Sequence, residues 1–405
     1  MISFLDRLWG GSRRRNFIAI DIGSATAIRS LSFQVTNGTA FAAAKHHFEL
    51  PHRGHETALI PFINEYLRRL IFRYVKDMGR IPSEVLIGLG SHFTFNEIVT
   101  IRRIRPHPAD LLRKDEFDGI IQEFLATSSL KTVGGSQYAL AHLLPFRVML
   151  DGYYLETTER QVRGKTIEMV IFATYARDEF WRALGKIQSM FGGLDMRFIS
   201  NQAALAASLI TVLGVRDALI VKIGSNITEV SLLGEGALLA TGQFVKGGDA
   251  VTSAIAKELG ISHADAERIK RQWEKTILPP KTSVSVREAM RHGAEEWLGE
   301  LTAFLKHEER FLLPERIYIL GGGARLKVLQ HALEDHLWYG DLTFLEKLDI
   351  QLLEAEAIAS RIFANTSSVL QGPEEVALAA LASRVHHSAL ALFPYIVTPI
   401  ASIQA

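Results

Sequence analysis

Two segments, one in each half of this 405-residue chain, place glycine, hydroxyl and charged side chains at matching points of a strand–turn–strand pattern. They are Ile18-Ala-Ile-Asp21-Ile-Gly23-Ser24-Ala-Thr26 and Ile220-Val-Lys222-Ile-Gly224-Ser225-Asn226-Ile-Thr228. In each, an apolar strand breaks at a glycine and resumes as an alternating strand. Glycine lets the backbone come close to a bound group, and successive N–H groups with short hydroxyls make a concavity suited to a phosphate chain. One such turn is a weak signal. Two of them, followed by Lys246-Gly247-Gly248-Asp249 and then Tyr318-Ile-Leu-Gly321-Gly322-Gly323-Ala324, form an ordered set. The Gly247, Gly248 and Asp249 turn opens a helix whose N-terminus favours negative charge.

Composition narrows the classes. The chain is 48% hydrophobic and 22% charged, with a formal net charge of +1. That balance argues against wholesale nucleic-acid binding, which needs a basic excess on some face. The run Arg102, Arg103, Arg105, Arg113 and Lys114 has only Phe117 near it, so a solvated or partner-facing edge is expected there instead of a base-stacking patch. With no cysteine, disulfides, thiolate metal sites and cysteine nucleophiles are excluded, and the fourteen histidines show no metal-ligand spacing.

These turns need strands and helices to hold them. Asn16 to about His47 reads as three strands with turns at Gly23 and Asn37-Gly38. A helix over Glu56–Met78 and a strand at Glu84–Leu89 follow. The same unit recurs as strands Leu219–Ile223, Thr228–Leu233 and Ala237–Phe244, a helix from Asp249 to Leu259, and a strand Ile317–Leu320, an internal duplication. The expected division is a segment 1–15, a first lobe over 16–90 and 194–217 closed by a helix at 371–387, an insertion at 91–193, a second lobe at 218–370 and an apolar tail at 388–405. In the first segment Met1, Phe4, Leu5, Leu8 and Trp9 fall on one helical face, with Arg13, Arg14 and Arg15 behind them. An apolar wedge beside arginines suits an anionic membrane surface. Two prolines and several polar residues argue against a spanning helix in the tail.

In this order the motifs resemble the actin-like ATPase superfamily, an α/β fold of two duplicated ribonuclease-H-like lobes. The insertion, with Leu144-Pro-Phe-Arg-Val-Met-Leu-Asp-Gly152 at its midpoint, resembles the SHS2-type α+β insertion of the FtsA family of bacterial division proteins; the PilM family is similar in plan.

The resemblance implies ATP with Mg²⁺. Asp21 would hold the metal through water, the hard oxygen ligand Mg²⁺ prefers. Gly23, Ser24, Thr26, Gly224, Ser225 and Thr228 would supply the phosphate clamps. Gln202 would orient the attacking water, Glu267 and Lys270 would line the ribose and adenine pocket, and Gly321, Gly322 and Gly323 would let adenine lie against backbone. Lys222 departs from the pattern, since the superfamily carries a carboxylate there. An ammonium would repel the metal and pair instead with a phosphate oxygen, so weak or absent hydrolysis is expected.

The FtsA resemblance implies a cytoplasmic, inner-membrane-associated protein that self-associates into filaments and tethers an FtsZ-type tubulin homologue. The PilM resemblance implies instead a scaffold that captures a cytoplasmic peptide of a membrane protein. A small-molecule kinase is the remaining alternative on this fold.

Overall fold

The computed structural model describes residues 15–23, 26–50, 59–155, 161–191, 194–273, 278–308, 311–335, 338–340, 342–345, 347–365 and 369–386. Residues 1–14 of the expected membrane segment, Ser24 and the apolar tail lie outside them.

The first meander is β1 (Arg15–Ile22), β2 (Ala27–Thr36) and β3 (Thr39–Glu49); β4 (Glu84–Leu89) and β10 (Met196–Ser200) extend it in the order β10-β4-β1-β2-β3. In the second lobe β11 (Ala218–Ile223), β12 (Thr228–Gly234), β13 (Ala237–Phe244), β14 (Arg316–Leu320) and β15 (Asp349–Leu352) give β13-β12-β11-β14-β15. The orders match: three antiparallel strands, then two parallel to the first of them. Even the hairpin turns correspond. Asn37-Gly38 and Glu235-Gly236 both have φ between 52° and 79°, the left-handed pair that a two-residue hairpin requires. β1 is buried at every position after Arg15, which explains its unbroken apolar run.

Two helices join the sheets. Asn201–Leu213 is buried throughout its first nine residues, and Val376–His386 lies beside it, with Ser383 Oγ donating to Ser208 Oγ at 3.2 Å. Their alanines and leucines share one core with Phe17 and Leu31 from the first sheet and Ile220 and Leu238 from the second. Small residues let the two helices approach both sheets, so the lobes share a common apolar centre.

The insertion folds as a sheet β5-β9-β7-β6, built from β5 (Thr94–Ile104), β6 (Leu130–Val133), β7 (Ser136–Leu150) and β9 (Thr166–Arg177), with the short β8 (Tyr153–Tyr154) paired to β7. The helix Lys114–Thr127 covers it through Phe117, Ile120, Ile121 and Phe124, in a core separate from either lobe. The arginine run is spent on internal pairs: Arg102 with Glu168 at 3.1 Å, Arg103 with Glu123, and buried Arg105 with Glu116 at 2.7 Å. One end differs from the expected insertion of 91–193. The helix Asp178–Met190 buries Phe180, Trp181, Leu184 and Ile187 in the core of the first sheet with Ile18 and Ile20, so it packs with the first lobe.

On β7, His142 is fully buried, and burial, reinforced by the Arg384 charge, lowers its pKa from 6.5 to about 3. A group depressed on folding contributes stability above its unfolded value that is lost as pH falls toward the folded one. Between pH 6.5 and about 3 it is therefore expected to cost up to about 1.4 kcal/mol per pH unit. Urea titrations across that range should show a shallower acid loss in His142→Leu than in the parent; parallel curves would contradict this.

Candidate functional site: the cleft between the lobes

A cavity of about 860 Å³ opens between the two glycine turns, within the size range of small-molecule sites. From the first lobe it receives Asp21, Gly23 and Thr26; from the second, Lys222, Gly224 and Ser225. Gly248, Glu267, Lys270 and the run Gly321, Gly322 and Gly323 complete the part foreseen from the motifs. The glycines are required where they stand. Gly321 has φ +89°, and a Cβ on it would lie 2.5 Å from the Ile223 carbonyl. A Cβ on Gly23 would fall among Asn201 Nδ2, Asp21 Oδ1 and Lys222 Nζ, the Asp21 oxygen 2.5 Å away.

The floor of the cleft is a charged network across the lobes. Register places Asp21 of β1 opposite Arg29 of β2, and Lys222 of β11 opposite Glu229 of β12. The duplicated position thus carries an acid–base pair in both lobes, with the signs exchanged. Lys222 Nζ donates to Glu229 Oε2 at 2.6 Å and to the Gly23 carbonyl at 3.3 Å. Glu229 Oε1 accepts from the Ser91 backbone N–H at 2.9 Å and from the Ser91 hydroxyl. Burial opposes both charges, but the pairing outweighs it: Glu229 and then Asp21 hold the Lys222 pKa above its ordinary value. In turn, Lys222 and the Ser91 donors hold Glu229 below the ordinary range. Lys222, expected to pair with a phosphate oxygen, is also anchored to a carboxylate on the next strand.

On the second-lobe wall, the helix His263–Gln272 leans on the N-terminus of Gly248–Leu259. Glu267 accepts from Thr252 Oγ1 at 2.6 Å and pairs with Lys270 at 2.6 Å and Arg271 at 2.7 Å. Burial raises its pKa, but the Lys270, Thr252 and Arg271 contacts together bring it down to about 2. Lys270 Nζ also donates to the Gly248 carbonyl at 3.0 Å.

Three expected residues sit elsewhere. Gln202 is buried between the sheets, its Oε1 accepting from Asn96 at 2.7 Å and its Nε2 facing Val230 O and Ser231 Oγ at 3.2 and 3.3 Å. With both ends of the amide engaged, it ties the insertion to the second lobe and does not line the cleft as a water-orienting group would. Thr228 is fully buried; its hydroxyl donates to Lys246 O and accepts from Trp297 Nε1 at 2.7 and 2.9 Å. Gly247 supports the clamp from behind, since a Cβ there would meet the Gly224 carbonyl at 2.5 Å. Motif reading missed Arg29, Trp273, Arg287, Met290, Arg325 and Glu374, all lining the cleft. Arg29 alone had a signal, its cross-strand position opposite Asp21.

The donor set does not suit the divalent metal that the fold family implies. Asp21 Oδ1 already accepts from Asn201 Nδ2 at 2.7 Å, and the Lys222 ammonium lies against the same space. Mg²⁺ keeps an octahedral shell of oxygens, and a fixed cation beside its one carboxylate opposes it.

No family model matches the chain, and no curated protein matches it by sequence. Solved structures do. The chain is similar to a chain of the PilM–PilN type IV pilus biogenesis complex, with TM-score 0.58 and 19% identity over 91% of this chain and 97% of that one. EutJ, an ethanolamine utilization protein from Carboxydothermus hydrogenoformans, aligns over 92% of this chain and 90% of its own with TM-score 0.47 and 14% identity. A nucleotide-free diol dehydratase-reactivating factor aligns over 92% of this chain and 100% of its own, with TM-score 0.48 and 11% identity. The architecture is the actin-like ATPase fold, two duplicated sheets around one cleft with an α+β insertion in the first lobe.

Proposed function

We propose that this chain is a nucleotide-binding scaffold of the PilM type. It closes on ATP with weak or absent turnover, and its insertion, read as SHS2-type, holds a short cytoplasmic segment of a membrane protein. One observation carries the low turnover: the second-lobe position that would bear a metal-assisting carboxylate bears Lys222, locked to Glu229. Gln202, bound at both ends, is withheld from water orientation. The peptide partner is supported by the likeness to the chain from the PilM–PilN complex. Capture of cytoplasmic membrane-protein segments by the full chain, with and without ATP, tests it. Retention that is lost when the insertion surface is altered supports the scaffold; retention of an FtsZ-type protein instead would favour the division-tether reading, in which the chain also forms filaments.

The same reading puts the protein on the cytoplasmic face of the inner membrane through residues 1–15. The full chain should sediment with anionic vesicles, and a chain beginning at Asn16 should stay in the supernatant. Equal sedimentation would refute the anchor. A kinase reading is less favoured, because among the described residues Glu267 and Glu374, the cleft carboxylates besides Asp21, are ion-paired.

A further inference from the structure

We propose that the cleft carries its own counter-cation: the ammonium of Lys222, at the second-lobe position where the pattern has a carboxylate, neutralises phosphate charge in place of a divalent metal, so that a nucleoside polyphosphate binds without one. The inference rests on the nucleotide reading above and adds to it the ionic form of the ligand.

Three observations converge. Lys222 Nζ has three donors, and among the described residues two are taken, one on Glu229 and one on the Gly23 carbonyl. The third is left for a ligand oxygen, and the side chain is 15% exposed on the cleft side. Next, the ammonium is held in place before any ligand arrives. Glu229 fixes it from its own lobe and is itself fixed by Ser91 in the turn between β4 and β5, while the Gly23 carbonyl accepts from the same ammonium, so the cation sits at the seam where both clamps meet. A charge positioned in advance costs little reorganisation on binding. Finally, the wider lining is cationic, with seven Lys or Arg against three Asp or Glu among the described residues. Such a cleft attracts a metal-free polyphosphate, which carries more negative charge than its magnesium complex. A metal at Asp21 would instead meet a carboxylate already engaged by Asn201 Nδ2, with the Lys222 ammonium against the same space.

The test is calorimetric titration of the full chain with ATP, once in excess EDTA and once in excess Mg²⁺. Dissociation constants within fivefold of each other are expected. Binding that weakens fivefold or more in EDTA overturns this inference and leaves the nucleotide site standing; no binding in either buffer overturns both. Lys222→Gln provides the second arm, with folding checked by thermal denaturation. A folded Lys222→Gln protein should bind ATP at least tenfold more weakly in EDTA. Unchanged affinity in that variant would contradict the proposal, and if the variant does not fold, the comparison of buffers on the parent protein decides alone.

Discussion

Glu229→Ala should destabilise the protein by about 3–5 kcal/mol, because it leaves a buried ammonium with no carboxylate partner. The loss extends beyond one ion pair. Ser91, whose N–H and hydroxyl both donate to Glu229, would lose its acceptor, and with it a contact that joins the turn between β4 and β5 to the second lobe. Urea unfolding should show the drop, and the double substitution Lys222→Met with Glu229→Met should recover much of it, since removing both charges avoids the orphan. If the single and double variants were equally unstable, the pair would be shown to matter for packing and not for charge. The pH dependence has a definite sign. Glu229 is held below its ordinary value on folding, so its stability is present above the unfolded pKa and is lost as pH falls through the folded one. Glu229→Ala should lack that part of the acid loss.

Gly23→Ala should weaken ATP binding by at least tenfold, about 1.4 kcal/mol, with a smaller effect on stability. The atoms a Cβ would meet are the ends of Asn201, Asp21 and Lys222, and such ends move more readily than backbone. The fold survives, and the floor of the cleft is displaced. Gly299→Ala is the matched control: it lies in the helix Pro280–His307 with open space around it, so it should leave affinity alone and add a few tenths to about 1 kcal/mol of stability. Equal affinities for Gly23→Ala and the parent would mean that the first clamp does not touch the ligand.

The duplicated sheets were legible because their signals are local: apolar runs ended by glycine turns at Gly23, Gly224 and Gly321, and a left-handed hairpin at Asn37-Gly38. Most of the cleft lining followed, since strand ends and the helix at Gly248 bring those turns together. The failures share a cause, which is register and packing between distant segments. Pairing of Lys222 with Glu229 needs the exact hairpin offset, and the burial of the Thr228 hydroxyl needs Trp297, which no local pattern connects to it. Gln202 opens a helix whose first nine residues are all buried, so its place in the first turn gave no hint that both ends of its amide are taken. Arg325 and Glu374, paired at 2.9 Å across the cleft rim, come from separate segments and carry no motif.

Photolabelling of the full chain with 8-azido-ATP, followed by peptide mapping, tests the central claim most directly. The account predicts saturable labelling, competed by ATP, on the cleft wall formed by His263–Trp273 and by the Pro280–His307 helix around Arg287 and Met290. Labelling that ATP does not compete, or that falls on the insertion or the outer faces of the sheets, would contradict it.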